Sequence, residues 1–318
     1  MEFVKQKAIL LENKNPFLKI EQAGRICYAS ESKIKEGSAE KFVKNLIKSG
    51  HTAMLEHYTF CFRLHGTRAD LEDYINEIKA YSNYLHATIS YQDQPGELRA
   101  LVSGNIRALN ECYPFCMPLL KELMAKYPDL VWDQKTLAIG DDCNRIFSVQ
   151  AELVDFDTLP NLSPLEIGEH KTMTFRLITN RGVTHELVRH RPCSFAQQST
   201  RYINLKDGIQ VVYPAEWDKY SDMQKQIYTK AFQAAEDHYR TLIESGQTPQ
   251  QARAVLPIGL KTEIIVTANM KEWAWIYNLR LFGTTGAPHP DIAEVMALAW
   301  DFACKDEIAA KYLRLACL

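Results

Sequence analysis

Several signatures that would fix the chemistry at once are missing from this 318-residue sequence. None of the fourteen glycines stands in a G-x-G pair, which removes the dinucleotide-binding fingerprint, and there is no Gly-Lys-Ser/Thr run to cradle phosphates as a P-loop. Cationic excess is lacking too. The formal net charge of -2 argues against a surface built for broad attraction to nucleic acid and confines any basic site to a local patch. Between Met1 and Pro16 the only apolar run is Ala8 to Leu11, followed at once by Glu12, so neither a secretory leader nor a membrane span is expected. A cytoplasmic address follows. Eight cysteines scattered from Cys27 to Cys317 read as buried thiols of a reducing compartment, and Cys112 and Cys116 have no second pair at ligand spacing to make a metal site.

What is present is concentrated between Arg189 and Tyr202. Arg189, His190, Arg191, Gln197, Gln198, Ser199, Thr200 and Arg201 crowd cations, amides and hydroxyls into one short stretch. Guanidinium forks grip phosphate or carboxylate, while amides and hydroxyls read the edge of a ring, so the mixture suits a nucleotide. Pro192 stops the preceding helix and lets the three charged residues converge on one ligand. By themselves, Arg189 to Arg191 read more simply as a solvated cationic helix end. Spacing alone also leaves His57 open between a ligand contact and an ordinary surface histidine.

Periodicity outlines an α+β domain with a mainly antiparallel sheet flanked by helices, because few long βαβ units appear. A helix is expected from Ser38, its cap, to Gly50, its stop, with Phe42, Val43, Leu46 and Ile47 as its buried stripe. Two alternating segments, Tyr58 to Leu64 and Met173 to Leu177, read as neighbouring strands, the second running into a turn at Asn180-Arg181-Gly182. Val183 to Arg189 reads as a short helix delivering the charged motif. A long helix spans about Ser221 to Ser245, with Ile227, Ala231, Ala234, Ala235, His238 and Leu242 on one side. Thr248-Pro249 opens a helix carrying Arg253, Leu260 to Ala268 reads as a strand, and Lys271 to Phe282 and Asp291 to Ala303 read as helices. The whole of 1–318 is expected to be one domain, with 67–170 an insertion that elaborates it and no Gly- or Ser-rich linker to set it apart.

Arg-His-Arg, seven residues, then Ser-x-Arg resembles the signature of the flavin-dependent thymidylate synthases at every fixed position. Arg25-Ile26-Cys27, Gly50-His51, Glu56-His57, Arg253 to Pro257 and Asn278-Leu279-Arg280 stand in the family's order, so the likeness covers about two thirds of the chain. The resemblance implies an enzyme that converts dUMP to dTMP, with 5,10-methylenetetrahydrofolate as one-carbon donor, NADPH as reductant and FAD as cofactor. It implies a homotetramer with shared active sites, small-molecule substrates, and neither nucleic-acid nor membrane partners. Carried over residue by residue, dUMP falls to Glu186, Leu187, Val188, Arg189, Gln197, Gln198, Ser199, Thr200, Arg201, Arg253 and Arg280, with Arg280 the catalytic residue. FAD falls to His57, Thr59, Arg189, His190, Arg191, Gln197, Asn269, Met270 and Lys271. Lys271 and Trp275 stand where members often have Arg and Asn, and Trp275 reads as core. His289 matches a later family histidine across a lengthened loop. Cys193 reads as a packing residue, since the family uses no enzyme nucleophile. Two other readings stay open: a non-catalytic nucleotide- or RNA-binding module, and a flavin oxidoreductase of the same fold acting on another acceptor.

Overall fold

The computed structural model describes residues 1–91, 98–132 and 148–317. Among these residues the strands are β1 (Glu2–Val4), β2 (Lys7–Leu10), β3 (Thr59–His65), β4 (Leu85–Tyr91), β5 (Leu98–Asn105), β6 (Gln150–Val154), β7 (Thr172–Asn180), β8 (Ser194–Gln197), β9 (Gln210–Val212) and β10 (Lys261–Asn269). They form two antiparallel four-stranded sheets, ordered β4-β5-β3-β6 and β2-β7-β10-β8, and a short parallel pair, β1 with β9. The α+β class therefore stands, but the single sheet expected from the sequence is two. β3 and β7, read as neighbours, lie in different sheets. Both alternate in the same way, and alternation reports which face of a strand is buried, not which strand lies beside it.

β10 is the axis of the second sheet. From Thr262 to Asn269 every residue is buried, because both faces of the strand are covered. Ile264 and Val266 join Trp273, Ile276, Val295 and Met296 in the core formed with the Met270–Arg280 and Pro290–Ala303 helices. Ile265 meets Ala23 and Ile26 of the Pro16–Ile26 helix on the other face. Each such aliphatic side chain contributes about 1.5–3 kcal/mol by leaving water, and β-branched residues fit this pleated, doubly covered environment. The first sheet packs its own core of Phe60, Phe62, Leu64, Val102 and Ala100 against Tyr74, Ile75 and Ile78 of the Arg68–Tyr81 helix.

Helix ends follow the expected chemistry, with corrections. The helix read from Ser38 spans Ser38–Lys48, and its N-cap is Gly37. Ser38 is the first helical residue, and its hydroxyl donates to Glu21 Oε2 at 2.8 Å. Gly50 terminates the helix with φ 71°, a conformation that glycine adopts without strain. The Asn180-Arg181-Gly182 turn is instead a direct strand-to-helix junction. Asn180 ends β7 and caps the Arg181–Leu187 helix, its Oδ1 accepting from the Val183 N–H at 2.9 Å. In the Asp222–Glu244 helix the buried face is Phe232, Glu236 and Tyr239, and Ile227 of the expected stripe is 60% exposed. An aromatic pair outweighed a run of alanines in choosing which face packs.

Candidate functional site

Three backbone junctions assemble the site. The Arg181–Leu187 helix leaves β7, turns through Arg189, His190 and Arg191, and returns as β8 alongside β10. The Met270–Arg280 helix leaves the end of β10 and returns Arg280 to that turn. The Pro249–Ala252 helix and the single turn Arg253–Val255 bring Arg253 to the opposite end of the same segment.

Arg280 is fixed by two partners. Its Nε donates to His190 Nε2 at 3.1 Å and its Nη1 donates to Glu186 Oε2 at 2.9 Å. His190 is 6% exposed, and burial together with the adjacent Arg280 charge holds its pKa down at about 4. The imidazole is therefore neutral at pH 7, and because Nε2 accepts from Arg280 the ring proton belongs on Nδ1. The remaining nitrogen of Arg280, Nη2, has no hydrogen-bond partner among the described residues. A carboxylate at position 186, which would repel a phosphomonoester, instead lies against Arg280.

The other end of the segment carries cations that have no carboxylate partner among the described residues. Arg181 Nη2 donates to the Gln198 carbonyl at 2.9 Å, and Arg201 Nε donates to Gln250 Oε1 at 3.3 Å. Burial first, and then the charge of the nearby Arg253, lowers the Arg181 pKa. Between the two ends, Gln197 Nε2 donates to Thr184 Oγ1 at 2.9 Å and Thr262 Oγ1 at 3.4 Å. Ser199 is held by its N–H on the Cys27 carbonyl at 3.0 Å, which gives the Arg25-Ile26-Cys27 block a structural reason. Arg25 itself is engaged elsewhere, paired with Glu21 at 2.9 Å and stacked on the Phe42 ring.

A third group surrounds the start of the Met270–Arg280 helix. Asn269 caps that helix through the Glu272 N–H, and its Nδ2 approaches the Glu169 carbonyl and His86 Nδ1. Glu169 joins His86 at 3.0 Å and Lys271 at 2.8 Å, and these contacts hold its carboxyl down at about 2. His86, Pro192, Asn269, Lys271 and Glu272 line a cleft of about 610 Å³. Thr59, Pro192 and Asn269 share a narrower recess beside it, and Arg191, Lys271 and Trp275 share a further cleft of about 360 Å³. His57 is fully buried under the second sheet. Its Nδ1 lies 2.9 Å from Thr267 Oγ1, and burial with the nearby Lys19 charge lowers its pKa to about 3.

The structure thus brings Glu186, His190 and Arg280 into contact, sets Gln198 and Arg253 beside Arg181, and ties Arg201 to Gln250. Arg189 is exposed and forms no salt bridge among the described residues, while Val188 and Thr200 are half-buried. Leu187 and Met270 are different, since both side chains are committed to the core. Trp275, read as core, is 53% exposed, and the tryptophan that fills the core is Trp273. His289 caps the Pro290–Ala303 helix, its Nδ1 accepting from the Asp291 N–H. Cys193 is buried with its thiol pKa pushed up, which keeps it protonated and unreactive. Arg181, Thr184, His86 and Glu169 were not singled out in the sequence. Nothing in their spacing marks them, and only the packing brings them in.

The model of the family described as thymidylate synthase complementing protein matches residues 9–83 and 156–305. The flavin-dependent thymidylate synthase of Geobacter sulfurreducens is 36% identical over 126 residues, 39% of this chain and 54% of that protein. Those of Saccharolobus solfataricus and Mycobacterium tuberculosis are 36% and 34% identical over 134 and 158 residues, which is 42% and 45% of this chain and 48% and 59% of theirs. The chain therefore spans about half the length of the curated relatives it matches. A crystal structure of the UMP/dUMP methylase PolB from Streptomyces cacaoi, bound with 5-Br dUMP, superposes with a TM-score of 0.43 at 14% identity, over 99% of this chain and 97% of that one. Well over half of the sequence is matched by the one family model, and the chain belongs to the thymidylate synthase complementing protein family.

Proposed function

We propose that the protein is a flavin-dependent thymidylate synthase, methylating dUMP to dTMP with 5,10-methylenetetrahydrofolate as one-carbon donor and NADPH as reductant. The observation that carries this reading is the 181–201 segment, where Arg280 is oriented by Glu186 and His190 while Arg181 and Arg201 bond neutral partners, and neither they nor Arg253 has a carboxylate partner among the described residues. Such a pair of subsites suits a pyrimidine ring at the Arg280 end and a phosphate at the Arg201 end.

The residues present fit FAD. Arg189 and Arg191 are exposed cations without carboxylate partners among the described residues, and Arg191, Pro192, Thr59, Asn269 and Lys271 border adjoining clefts of suitable size. These side chains, with His190 and Gln197, would hold the cofactor. When bound, FAD supplies the redox chemistry that completes the methyl group. The protein's own contribution is orientation and charge. Arg280 is locked by Glu186 and His190 before substrate arrives, so its positive charge can stabilise negative charge on the uracil oxygens as C5 becomes nucleophilic, without reorganisation. Gln197, with its amide hydrogens given to Thr184 and Thr262, keeps Oε1 as an acceptor for a ring N–H.

A homotetramer with shared sites belongs to the same proposal. Met223 and Ile227 on the longest helix, 69% and 60% exposed, supply apolar surface for a second subunit. We also infer that 67–170 elaborates one domain. The family model leaves 84–155 unmatched, yet β4, β5 and β6 from this stretch build on β3 from outside it. Seven described cysteines, all free, accord with a cytoplasmic address, and no helix among the described residues is long and apolar enough to cross a membrane.

The test is direct. Purified protein should carry a flavin absorbance band and form dTMP from dUMP, methylenetetrahydrofolate and NADPH. Colourless protein that binds nucleotide would support the binding module, and flavin oxidised by oxygen but never by dUMP with folate would support another acceptor.

A further inference from the structure

A second cleft, of about 470 Å³, opens away from the Arg189–Arg191 turn. That turn leads into β8, an edge of the second sheet, whereas the cleft lies where β2 and β6, the opposite edge of that sheet and an edge of the first, meet the starts of β3 and β7. Part of its wall, Lys126, Tyr127 and Leu153 to Asp155, comes from the stretch 84–155 that the family model leaves unmatched. Of the residues assigned to dUMP or FAD, Thr59 alone borders it.

Most charges in this cleft are matched. Lys14 is paired with Asp155 at 2.7 Å, and Lys171 with Asp157 and Asp306 at 2.8 Å each. Glu12 and Lys126 are exposed to water. Lys19 breaks the pattern, being half-buried with no carboxylate partner among the described residues, its ammonium 5.8 Å from the centre of the Tyr58 ring. Burial first, and then the Lys171 charge, lowers its pKa to about 8 against the opposing pull of Asp157. Desolvating an ammonium beside a second cation is unfavourable unless an anion joins it. Aromatic rings form the adjoining wall. Tyr58 stands 4.9 Å from Phe60, and Phe60 stands 5.4 Å from Tyr127.

We propose that this cleft binds a small aromatic carboxylate, with its negative charge on the Lys19 ammonium and its ring against Tyr58 and Tyr127. The assignment goes beyond the synthase reading and does not rest on it. One unmatched charge selects a monoanion. A phosphate dianion would bring a second negative charge into a cleft that already holds Asp155 and Asp157, with no further unpaired and shielded cation among the described residues to balance it. A planar ring suits the wall, since offset or edge-on aromatic pairs add to the area they bury. The Tyr58 hydroxyl donates to the Lys14 carbonyl at 2.7 Å, which holds that ring in place before any ligand arrives. Lys19 acts as a compact point charge whose rotatable N–H donors follow the carboxylate. The volume is that of a small-molecule site.

The experiment titrates the purified protein calorimetrically with benzoate, its neutral isostere benzamide, acetate, which lacks the ring, and inorganic phosphate. Benzoate should bind most tightly of the four. Removing one charge-assisted contact in K19M should weaken benzoate by about tenfold to a hundredfold and leave benzamide unchanged. K19R keeps the charge and should recover part of the loss. Tyr127→Leu, which leaves the ammonium in place, should weaken benzoate but not acetate, and it keeps the test open if K19M does not fold. Saturating dUMP should leave the benzoate affinity of wild type unchanged. Absence of benzoate binding up to about 10 mM would overturn the assignment. So would equal affinity for benzoate and benzamide, benzoate binding unaltered in K19M, phosphate binding tighter than benzoate, or displacement of benzoate by dUMP, which would put the ligand in the substrate cleft. Benzoate binding is read without flavin or turnover, so a protein that forms no dTMP would sink the synthase reading and leave this result standing.

Discussion

At the residue scale, the two ends of the 181–201 segment should fail differently. Arg280 touches Glu186 and His190 and keeps one nitrogen, Nη2, without a partner among the described residues, so Arg280→Ala should cost about 10²–10³ in kcat while retaining most of the bound flavin. Arg189→Ala removes an exposed, unpaired cation and should lose bound cofactor or substrate first. Flavin absorbance per protomer and single-turnover rates, measured on both variants, separate the roles, and equal flavin loss in the two would erase the distinction. Glu186→Gln keeps the hydrogen bond to Arg280 but not its charge, so a smaller decrease than for Arg280→Ala is expected in the same assay. Arg280 was legible in the sequence only through a motif, because a lone arginine on a helix is most often a surface ion-pair partner. Arg181 was not legible at all. Only the fold brings its guanidinium to the Gln198 carbonyl and beside Arg253.

At the scale of single elements, the Arg181–Leu187 helix depends on Asn180. The side chain caps the helix through Oδ1 on the Val183 N–H and donates from Nδ2 to Asp291 Oδ2 at 2.7 Å, and that carboxylate also accepts from the Ala215 N–H. Asn180→Ala loses the cap and leaves a buried carboxylate oxygen without its donor, so stability should drop by about 2–3 kcal/mol in urea denaturation. Substrate affinity should drop with it, since Arg181, Thr184 and Glu186 all ride on that helix. Ordinary cap rules found most helix ends within two residues. They missed the junction at Asn180 because Asn-Arg-Gly is also turn chemistry, and only the burial of Asn180 against Asp291 decides between the two. The stripe on the Asp222–Glu244 helix failed for a related reason. Alanine fits either face, and Phe232 and Tyr239, with far more apolar area each, chose the face that packs. Trp275 and Trp273 are two residues apart on one helix, so about 200° separates them and only one could face the core.

Across the whole molecule, two buried histidines join parts that are distant in sequence. His57, preceding β3 of the first sheet, bonds Thr267 on β10 of the second, and Thr267 in turn meets Thr174 on β7 at 2.9 Å. His170, at the end of the Pro164–His170 helix, lies 2.9 Å from Thr88 on β4 and 2.8 Å from Ser103 on β5. Burial, with Lys19 beside one ring and His86 beside the other, lowers both pKa values to about 3 from an ordinary 6.5. Both rings are therefore neutral in the folded protein at pH 5, where an unfolded histidine is mostly protonated. The unfolded chain thus binds more protons between pH 6.5 and 3, and stability falls as pH falls through that window. By pH 5 each ring should contribute about 1–2 kcal/mol of lost stability relative to pH 7.5. Urea midpoints measured from pH 7.5 to 5 should therefore shift downward, and His170→Gln, which can hydrogen-bond Thr88 and Ser103 without titrating, should flatten the slope. A midpoint independent of pH over that interval, or an unchanged slope in His170→Gln, would mean that these rings gain protons without unfolding. The contacts between His57 and Thr267 would then be incidental to how the two sheets hold together.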